Sequence, residues 1–281
     1  MQISLKGLRI AMPLAGVALS AAIVWAVQDQ LGYQDTPMIP GTSWHVHDGL
    51  RPQPRVVTPG EHFSQLAPPP SDATVLFSGA DLSAWKRPDG GEAHWPVRDG
   101  YFEASRGGLI RSKERFADFQ LHLEFATPAE PKGSGQGRGN SGVMINGMYE
   151  VQVLDSYESP TYPDGQCGAL YGQTPPLVNA CRKPGEWQTY DILFESPRWD
   201  EQGKLVKNAA VTVLHNGVVL HHRREYMGCT DGIGGVPHKA LAAYGKPHDP
   251  EVFIDLQDHG NPLRYRNIWI RSIGTYDQPS G

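Results

Sequence analysis

The sequence has few basic residues and no long amphipathic helix pattern, and each scarcity argues against a class of protein. Lysine and arginine number 25 against 30 acidic residues, which gives a net charge of -5. A mildly acidic chain without a basic stripe is a poor nucleic-acid binder, so we exclude that class. Beyond residue 27 no segment sustains the period of an amphipathic helix, so a mainly helical fold is not expected.

Cysteine is also scarce, with Cys167, Cys181 and Cys229 as the three in the chain. No His-Asn or His-Asp pattern stands beside any of them, so the sequence does not favour a cysteine nucleophile. An exported domain permits disulfides. Cys167 with Cys181 would close a short loop across the region of the candidate site and is the preferred pair, although spacing does not determine connectivity.

The N-terminus has the pattern of an export signal. Lys6 and Arg9 precede an uncharged run over residues 10–27, a charge bias that sends the rest of the chain across the membrane. Residues 1–27 are predicted to be either a signal peptide cleaved after Ala26 or an uncleaved hydrophobic helix in the inner membrane, and this choice stays open. Both alternatives predict a periplasmic or extracellular protein.

Three further segments follow the export signal. Residues 28–70 hold eight prolines, four glycines and no sustained periodicity, which is typical of an extended linker without a core of its own. Residues 71–276 form the predicted folded domain, and residues 277–281 form a tail. The length of 281 residues is consistent with this single domain plus appendages.

The domain reads as a succession of short strands separated by turns. The chain contains 32 glycines and 24 prolines, which favours this organisation over long helices. Asn146-Gly147 and Asn216-Gly217 are strong hairpin signals, and a turn at residues 105–108 predicts a further hairpin. Residues 118–126 alternate, so we expect His122 on the exposed face of a strand. The pattern predicts an all-β fold, a jelly-roll sandwich of two antiparallel sheets.

A polar trio interrupts the apolar residues of one strand. Residues 149–154 alternate, with Tyr149 on the core face and Glu150 and Gln152 on the opposite face, and Asp155 follows at the strand end. Antiparallel sheets commonly expose one face to water, so an ordinary solvated face is the alternative to a functional site. We expect the chemistry of the protein at this trio.

Short segments spread over residues 72–274 form an ordered pattern. They are Val75-Leu76-Phe77-Ser78-Gly79 with Leu82 and Trp85, Asp118-Phe119, Asn140-Ser141-Gly142, Tyr149-Glu150-Val151-Gln152-Val153-Leu154-Asp155, Gly168-Ala169-Leu170-Tyr171-Gly172, Pro184-Gly185-Glu186-Trp187-Gln188 with Tyr190-Asp191, and Leu256-Gln257-Asp258-His259-Gly260-Asn261-Pro262 running into Arg266-Asn267-Ile268-Trp269. The pattern resembles the 3-keto-disaccharide hydrolase family. The resemblance implies a concanavalin-like jelly roll and an exported bacterial enzyme acting on glycosides oxidised at C3. The cysteines and the proline-rich segment lie outside the pattern.

The chemistry that this resemblance implies needs a base, an acid and oxyanion donors. A ketone at C3 acidifies the proton at C2, so a base removes it, the C1 oxygen leaves by β-elimination, and water adds to the enone. Glu150 and His259 are the candidate base and acid, in either order. The candidate substrate-binding residues are Asn140, Gln152 and Arg266 for sugar hydroxyls or the enediolate, and Tyr171 or Trp187 for stacking on a sugar ring.

Several alternatives stay open at this stage. A direct glycosidase would pair the carboxylates of Glu150 and Asp155. No cofactor is firmly indicated, but a divalent metal held by Asp155 or His259 would polarise the ketone. A different class of function is a membrane-anchored accessory subunit that docks on a larger membrane complex through residues 1–70. A third is a sugar-binding module without turnover.

Overall fold

The structure, a computed structural model, describes residues 31–105, 108–230 and 237–274. The predictions for residues 1–27 and for the tail at residues 277–281 lie outside these ranges. Within them, no helix is long and apolar enough to cross a membrane.

Strands form nearly all of the regular structure that is described. They are β1 (Arg55–Val56), β2 (Thr74–Phe77), β3 (Trp85–Lys86), β4 (Val97–Arg98), β5 (Tyr101–Glu103), β6 (Ile110–Ser112), β7 (Phe119–Ala126), β8 (Ser141–Ile145), β9 (Tyr149–Val153), β10 (Val178–Asn179), β11 (Gln188–Glu195), β12 (Arg198–Trp199), β13 (Leu205–Lys207), β14 (Ala210–His215), β15 (Val218–Glu225), β16 (Ile254–Leu256) and β17 (Arg264–Ser272). Short 3-10 helices span Gly135–Gly137 and Pro163–Gly165.

Two antiparallel sheets form the sandwich. The larger sheet has the order β15-β14-β11-β7-β17-β5-β4, with β2 also paired to β17, and the smaller has the order β3-β6-β16-β8-β9. Their facing sides share one core, in which the ring of Tyr149 on β9 lies 5.8 Å from that of Phe194 on β11. The predicted all-β jelly-roll sandwich of two antiparallel sheets is confirmed.

Period-two alternation builds the core from both sheets. On β7, Phe119, Leu121 and Phe125 are fully buried against the smaller sheet, and Tyr149 and Val151 of β9 face them. Each such side chain contributes about 1.5–3 kcal/mol through burial. The residues between them therefore point out of the sandwich, and those of β9 form the candidate site.

Both predicted Asn-Gly hairpins are confirmed. Asn146 and Gly147 have φ of 57° and 59°, and Asn216 and Gly217 have φ of 50° and 79°. Positive φ at both central residues matches the twist of the flanking strands. The hairpin predicted around residues 105–108 is wrong, because β5 pairs with β4 and β17 whereas β6 pairs with β3 and β16 in the other sheet.

Residues 61–67, here called the covering segment, lie across the outer face of the larger sheet. Ser64 Oγ donates to Asp191 Oδ2 at 2.9 Å, and the main-chain N–H of Leu66 donates to Glu124. His122 and Glu124 of β7 are consequently buried, so the expectation of an exposed His122 is wrong. This part of the proline-rich segment therefore packs on the domain.

Protonation of Glu124 is expected to destabilise the contact with the covering segment. Burial alone would raise the pKa of Glu124, but hydrogen bonds from His122, Asn267 and the main chain of Leu66 outweigh it and lower the pKa to about 2. An ionised carboxylate of this kind stabilises the fold above its unfolded pKa, and the stabilisation is lost as the pH falls through the folded pKa. Glu124→Gln should therefore lower the melting temperature near neutral pH, with the difference from wild type shrinking between about pH 5 and about pH 2. Thermal unfolding across this range measures it, and a pH-independent difference would contradict the assignment.

Candidate functional site

A cross-strand row of four polar side chains and one methionine crosses the outer face of the smaller sheet. The register pairs Lys86 with Arg111, Arg111 with Asp255, Asp255 with Met144, and Met144 with Glu150. Three strand spacings separate Arg111 from Glu150, or roughly 14 Å along the row. We call these five residues the cross-strand row, and its length exceeds that of a single sugar ring.

Glu150 lies at one end of the row and is 3% exposed. A Cβ at the neighbouring Gly142 would lie 2.5 Å from Glu150 Oε1, so the missing side chain makes room for the carboxylate. The main-chain N–H of Glu150 donates to Thr230 Oγ1 at 3.1 Å, and its carbonyl accepts from the Tyr226 hydroxyl at 3.3 Å. The backbone under this carboxylate is therefore fixed on both sides.

Amide side chains surround Gly142 beside this carboxylate. Gln152 Nε2 donates to Gln136 Oε1 at 3.1 Å, and Asn140 Nδ2 donates to the Gln136 carbonyl at 2.8 Å. Asn140 Oδ1, Gln152 Oε1 and Gln257 Oε1 are buried and accept no hydrogen bond from a described residue. Buried acceptors without donors are costly, so this arrangement suits a ligand that carries hydroxyl groups. The structure thus brings the amides of Asn140 and Gln152 together on Gln136, on the sheet face that carries Glu150, and their role in substrate binding stays a prediction.

The middle of the row contains a buried ion pair that the sequence analysis missed. Arg111 Nε and Nη2 lie 2.6 Å and 2.9 Å from the two oxygens of Asp255, and Asp255 is fully buried. Burial raises the pKa of Asp255 above its ordinary value, while the hydrogen bond from Arg111 opposes the rise. The available signal was an acidic residue between two apolar ones, Ile254 and Leu256, because a charge at such a position needs a partner.

Asp155 forms an ion pair with Arg138. Arg138 Nε lies 2.7 Å from Asp155 Oδ2, and the N–H of Tyr157 donates to Oδ1 at 3.2 Å. Burial raises the pKa of Asp155, and Arg138 opposes this shift. Both carboxylate oxygens of Asp155 accept hydrogen bonds from the protein, and they hold the loop that contains Arg138 against the end of β9. This geometry gives no support to a second catalytic carboxylate or a metal ligand at Asp155.

Tyr171 and His259 lie in two loops of the sandwich. Leu170 forms an isolated bridge with Val151, which brings Tyr171 alongside β9, and the Tyr171 hydroxyl lies 2.7 Å from that of Tyr162. His259 is exposed in the loop after β16, a loop anchored by the hydrogen bond from Gln257 N to the Gly142 carbonyl at 3.0 Å. The roles of Tyr171 and His259 stay predictions.

Trp187 and Arg266 lie on the other side of the sandwich. Arg266 Nε lies 2.7 Å from Glu124 Oε2, and its guanidinium stands 4.1 Å from the centre of the Trp187 ring. Tyr265 points into the core, so alternation turns Arg266 to the outer face of the larger sheet. Their predicted place in the site with Glu150 is therefore not supported, because the core separates the two outer faces.

Cys167 and Cys181 are adjacent, as the preferred pairing requires, but both are free buried thiols in the structure. The predicted disulfide is not formed. Cys229, also buried, is a free thiol as well.

A cavity of about 520 Å³ lies between Lys132, Gly137 and the loop residues Gly260 and Asn261. It borders the loop that carries His259 but lacks a buried ionisable group. We therefore locate the candidate site from its carboxylate and its unpaired amide oxygens.

Gly142→Ala is expected to displace the Glu150 carboxylate without unfolding the protein. The atom nearest to the added methyl is the flexible end of a side chain, so the backbone need not move. A shift of about 1 Å in a catalytic group can cost about 10²-fold in rate. Turnover and melting temperature should be measured together, with Gly60→Ala as the control because a Cβ there meets nothing within 4 Å. Wild-type turnover in Gly142→Ala would contradict this geometry.

Comparison with known proteins identifies the family. The profile of the 3-keto-alpha-glucoside-1,2-lyase-like domain matches residues 72–271. A solved structure described as a candidate glycosyl hydrolase from Parabacteroides distasonis ATCC 8503 is 46% identical over 79% of this chain and 93% of that chain, with a TM-score of 0.68. A second structure with the same description and source is 20% identical over 72% and 94% of the chains, with a TM-score of 0.51, and shows the fold alone. No curated protein matches. The chain belongs to the family of 3-keto-alpha-glucoside-1,2-lyase-like domains.

Proposed function

We propose that this protein cleaves 3-keto-glycosides by elimination and hydration, with Glu150 as the general base. The observation that carries the proposal is the buried Glu150 carboxylate held over Gly142 beside unpaired amide oxygens. A buried base next to hydrogen-bond acceptors for hydroxyl groups is suited to taking a proton from a bound sugar. The family membership supports the same substrate class.

The proposed reaction needs no external oxidant, because the substrate already carries the ketone at C3. Glu150 takes the proton from C2, and the electrons of that bond form an enediolate with the C3 oxygen. The bond from C1 to the glycosidic oxygen then breaks, and an acid protonates the leaving oxygen. Water adds at C1 of the resulting enone and a proton returns to C2, so the net change is hydrolysis. His259 is the candidate acid.

The side chains beside Glu150 have separate parts in this proposal. Asn140 and Gln152 accept hydrogen bonds from sugar hydroxyls through their unpaired oxygens, and Gln257 does so from the loop after β16. These contacts orient C2 toward the base, and orientation lowers the activation barrier. The far end of the cross-strand row, with Lys86 and Arg111, contacts the second sugar of a disaccharide.

The test is turnover of a 3-keto-disaccharide and of its unoxidised parent by the full chain in D₂O. Elimination and hydration place deuterium at C2 of the released sugar, because the proton there is exchanged with solvent. We expect cleavage of the 3-keto compound alone, with deuterium at C2. Cleavage without deuterium would indicate a direct glycosidase, and binding without cleavage would indicate a sugar-binding module.

We also propose that the protein is exported, on the basis of Lys6 and Arg9 ahead of the uncharged residues 10–27. Intact mass and membrane fractionation from native cells test this proposal, because a cleaved signal peptide and a retained anchor give different masses. The covering segment lies on this chain's own sandwich, and none of its described contacts favours docking on a membrane complex.

A further inference from the structure

A cluster of three metal-ligating side chains lies inside the sandwich, outside the site described above. The sulfurs of Cys167 and Cys181 and a ring nitrogen of His215 all lie within 4.8 Å of one another, and all three residues are buried. Cys167 follows the 3-10 helix Pro163–Gly165, Cys181 follows β10, and His215 ends β14. The cluster therefore joins three separate parts of the chain.

The hydrogen bonds of His215 determine which of its ring nitrogens carries the proton and which keeps a free lone pair. His215 Nε2 lies 2.9 Å from Gln188 Oε1, and the same oxygen accepts from the main-chain N–H of Arg182 at 2.9 Å. Because a main-chain N–H only donates, this atom of Gln188 is the oxygen, and Nε2 must carry the proton. His215 Nδ1 is then unprotonated, and it is buried with no partner among the described residues.

The tautomer of His215 suits a metal ligand. A second hydrogen bond from the far nitrogen, as from Nε2 to Gln188, is the usual way in which a protein orients a ligating imidazole. An orphaned nitrogen of this kind is otherwise costly in a core.

The other two side chains of the cluster are the buried thiols of Cys167 and Cys181. Zinc would displace both thiol protons, and two thiolates with one Zn²⁺ and a neutral imidazole carry no net charge. Neutrality matters because an uncompensated charge in a core is strongly unfavourable.

We propose that Cys167, Cys181 and His215 bind a zinc ion beneath the candidate active site. Thiolate sulfur and imidazole nitrogen are preferred zinc ligands. The site adjoins β9, since the Tyr190 hydroxyl lies 3.0 Å from Cys167 Sγ and donates to the Gln152 carbonyl at 2.7 Å. The N–H of Gly168 donates to the same carbonyl at 2.8 Å. Zinc at this position fixes the strand that carries Glu150 and Gln152.

The test uses the purified full chain, reduced and then incubated with Zn²⁺ alone before removal of unbound metal. Native mass spectrometry should find one zinc ion per chain. Replacement by Co²⁺ should give the near-ultraviolet absorption of thiolate-to-cobalt charge transfer, which reports the ligands directly. Cys181→Ser and His215→Gln should each lose the metal, whereas Cys229→Ser should keep it, because Cys229 is a buried cysteine outside the cluster.

Three results would overturn the proposal. One is wild-type protein that retains no zinc under these conditions, a measurement that does not depend on any variant folding. Another is a disulfide between Cys167 and Cys181 in metal-free protein isolated from native cells, found by peptide mapping without reduction. The third is a cobalt complex without thiolate charge transfer.

Discussion

Glu150→Gln is expected to lower kcat/KM for a 3-keto-disaccharide by at least ~10²-fold, because an amide cannot take the C2 proton. The replacement is nearly the same size, so the space over Gly142 stays filled and the main-chain bonds to Thr230 and Tyr226 stay in place. Substrate binding through Asn140 and Gln152 should persist. The loss should therefore fall on kcat more than on KM.

The matched control for this variant is Glu124→Gln. Glu124 is also a buried glutamate on the outer face of a sheet, but it lies on the larger sheet and is paired with Arg266. Its replacement should reduce stability and leave kcat close to wild type, provided that the assay temperature is well below the melting temperature. Deuterium incorporation at C2 of residual substrate gives a second readout, which should disappear in Glu150→Gln alone. Wild-type kcat in Glu150→Gln would show that the carboxylate is structural.

The local features of the site were predictable from the sequence. Alternation along β9 placed Glu150 and Gln152 on one face, and Asn146-Gly147 identified the hairpin, because both signals act over a few residues. Which strands lie beside β9 in the sheet depends on residues that are far apart in the sequence. Short apolar strands are alike in sequence. The sequence therefore did not indicate that Arg266 would lie on the side of the sandwich opposite to Glu150.

The outer face of the larger sheet shows a second feature that the sequence did not predict. The alternation of β7 correctly put His122 and Glu124 outside the core, and polarity then suggested contact with water. The covering segment occupies that face instead, and its donors replace water at the carboxylates of Glu124 and Asp191. A proline-rich composition indicates that a segment has no core of its own, but not whether it lies on another surface.

Arg111→Ala is expected to lower the free energy of unfolding by about 3 kcal/mol, because it leaves the Asp255 carboxylate buried without its partner. The pair is bidentate and Asp255 has no exposed surface, so the substitution removes two charge-assisted hydrogen bonds from a buried carboxylate. Urea unfolding at neutral pH measures the change. Arg271→Ala is the matched control, since Arg271 forms a similar bidentate pair with Asp72 at the protein surface and its loss should have little effect.

The double variant Arg111→Met with Asp255→Leu separates the cost of a stranded charge from the value of the pair itself. Replacement of a buried ion pair by apolar residues of similar volume is often neutral or stabilising, so the double variant should recover most of the stability that Arg111→Ala loses. Its turnover should still fall, because the cross-strand row would lose the charged groups proposed to contact the second sugar. A destabilisation of Arg111→Ala no greater than that of Arg271→Ala would contradict this account. If the double variant regained stability and also kept full turnover, Arg111 and Asp255 would have no part in substrate binding.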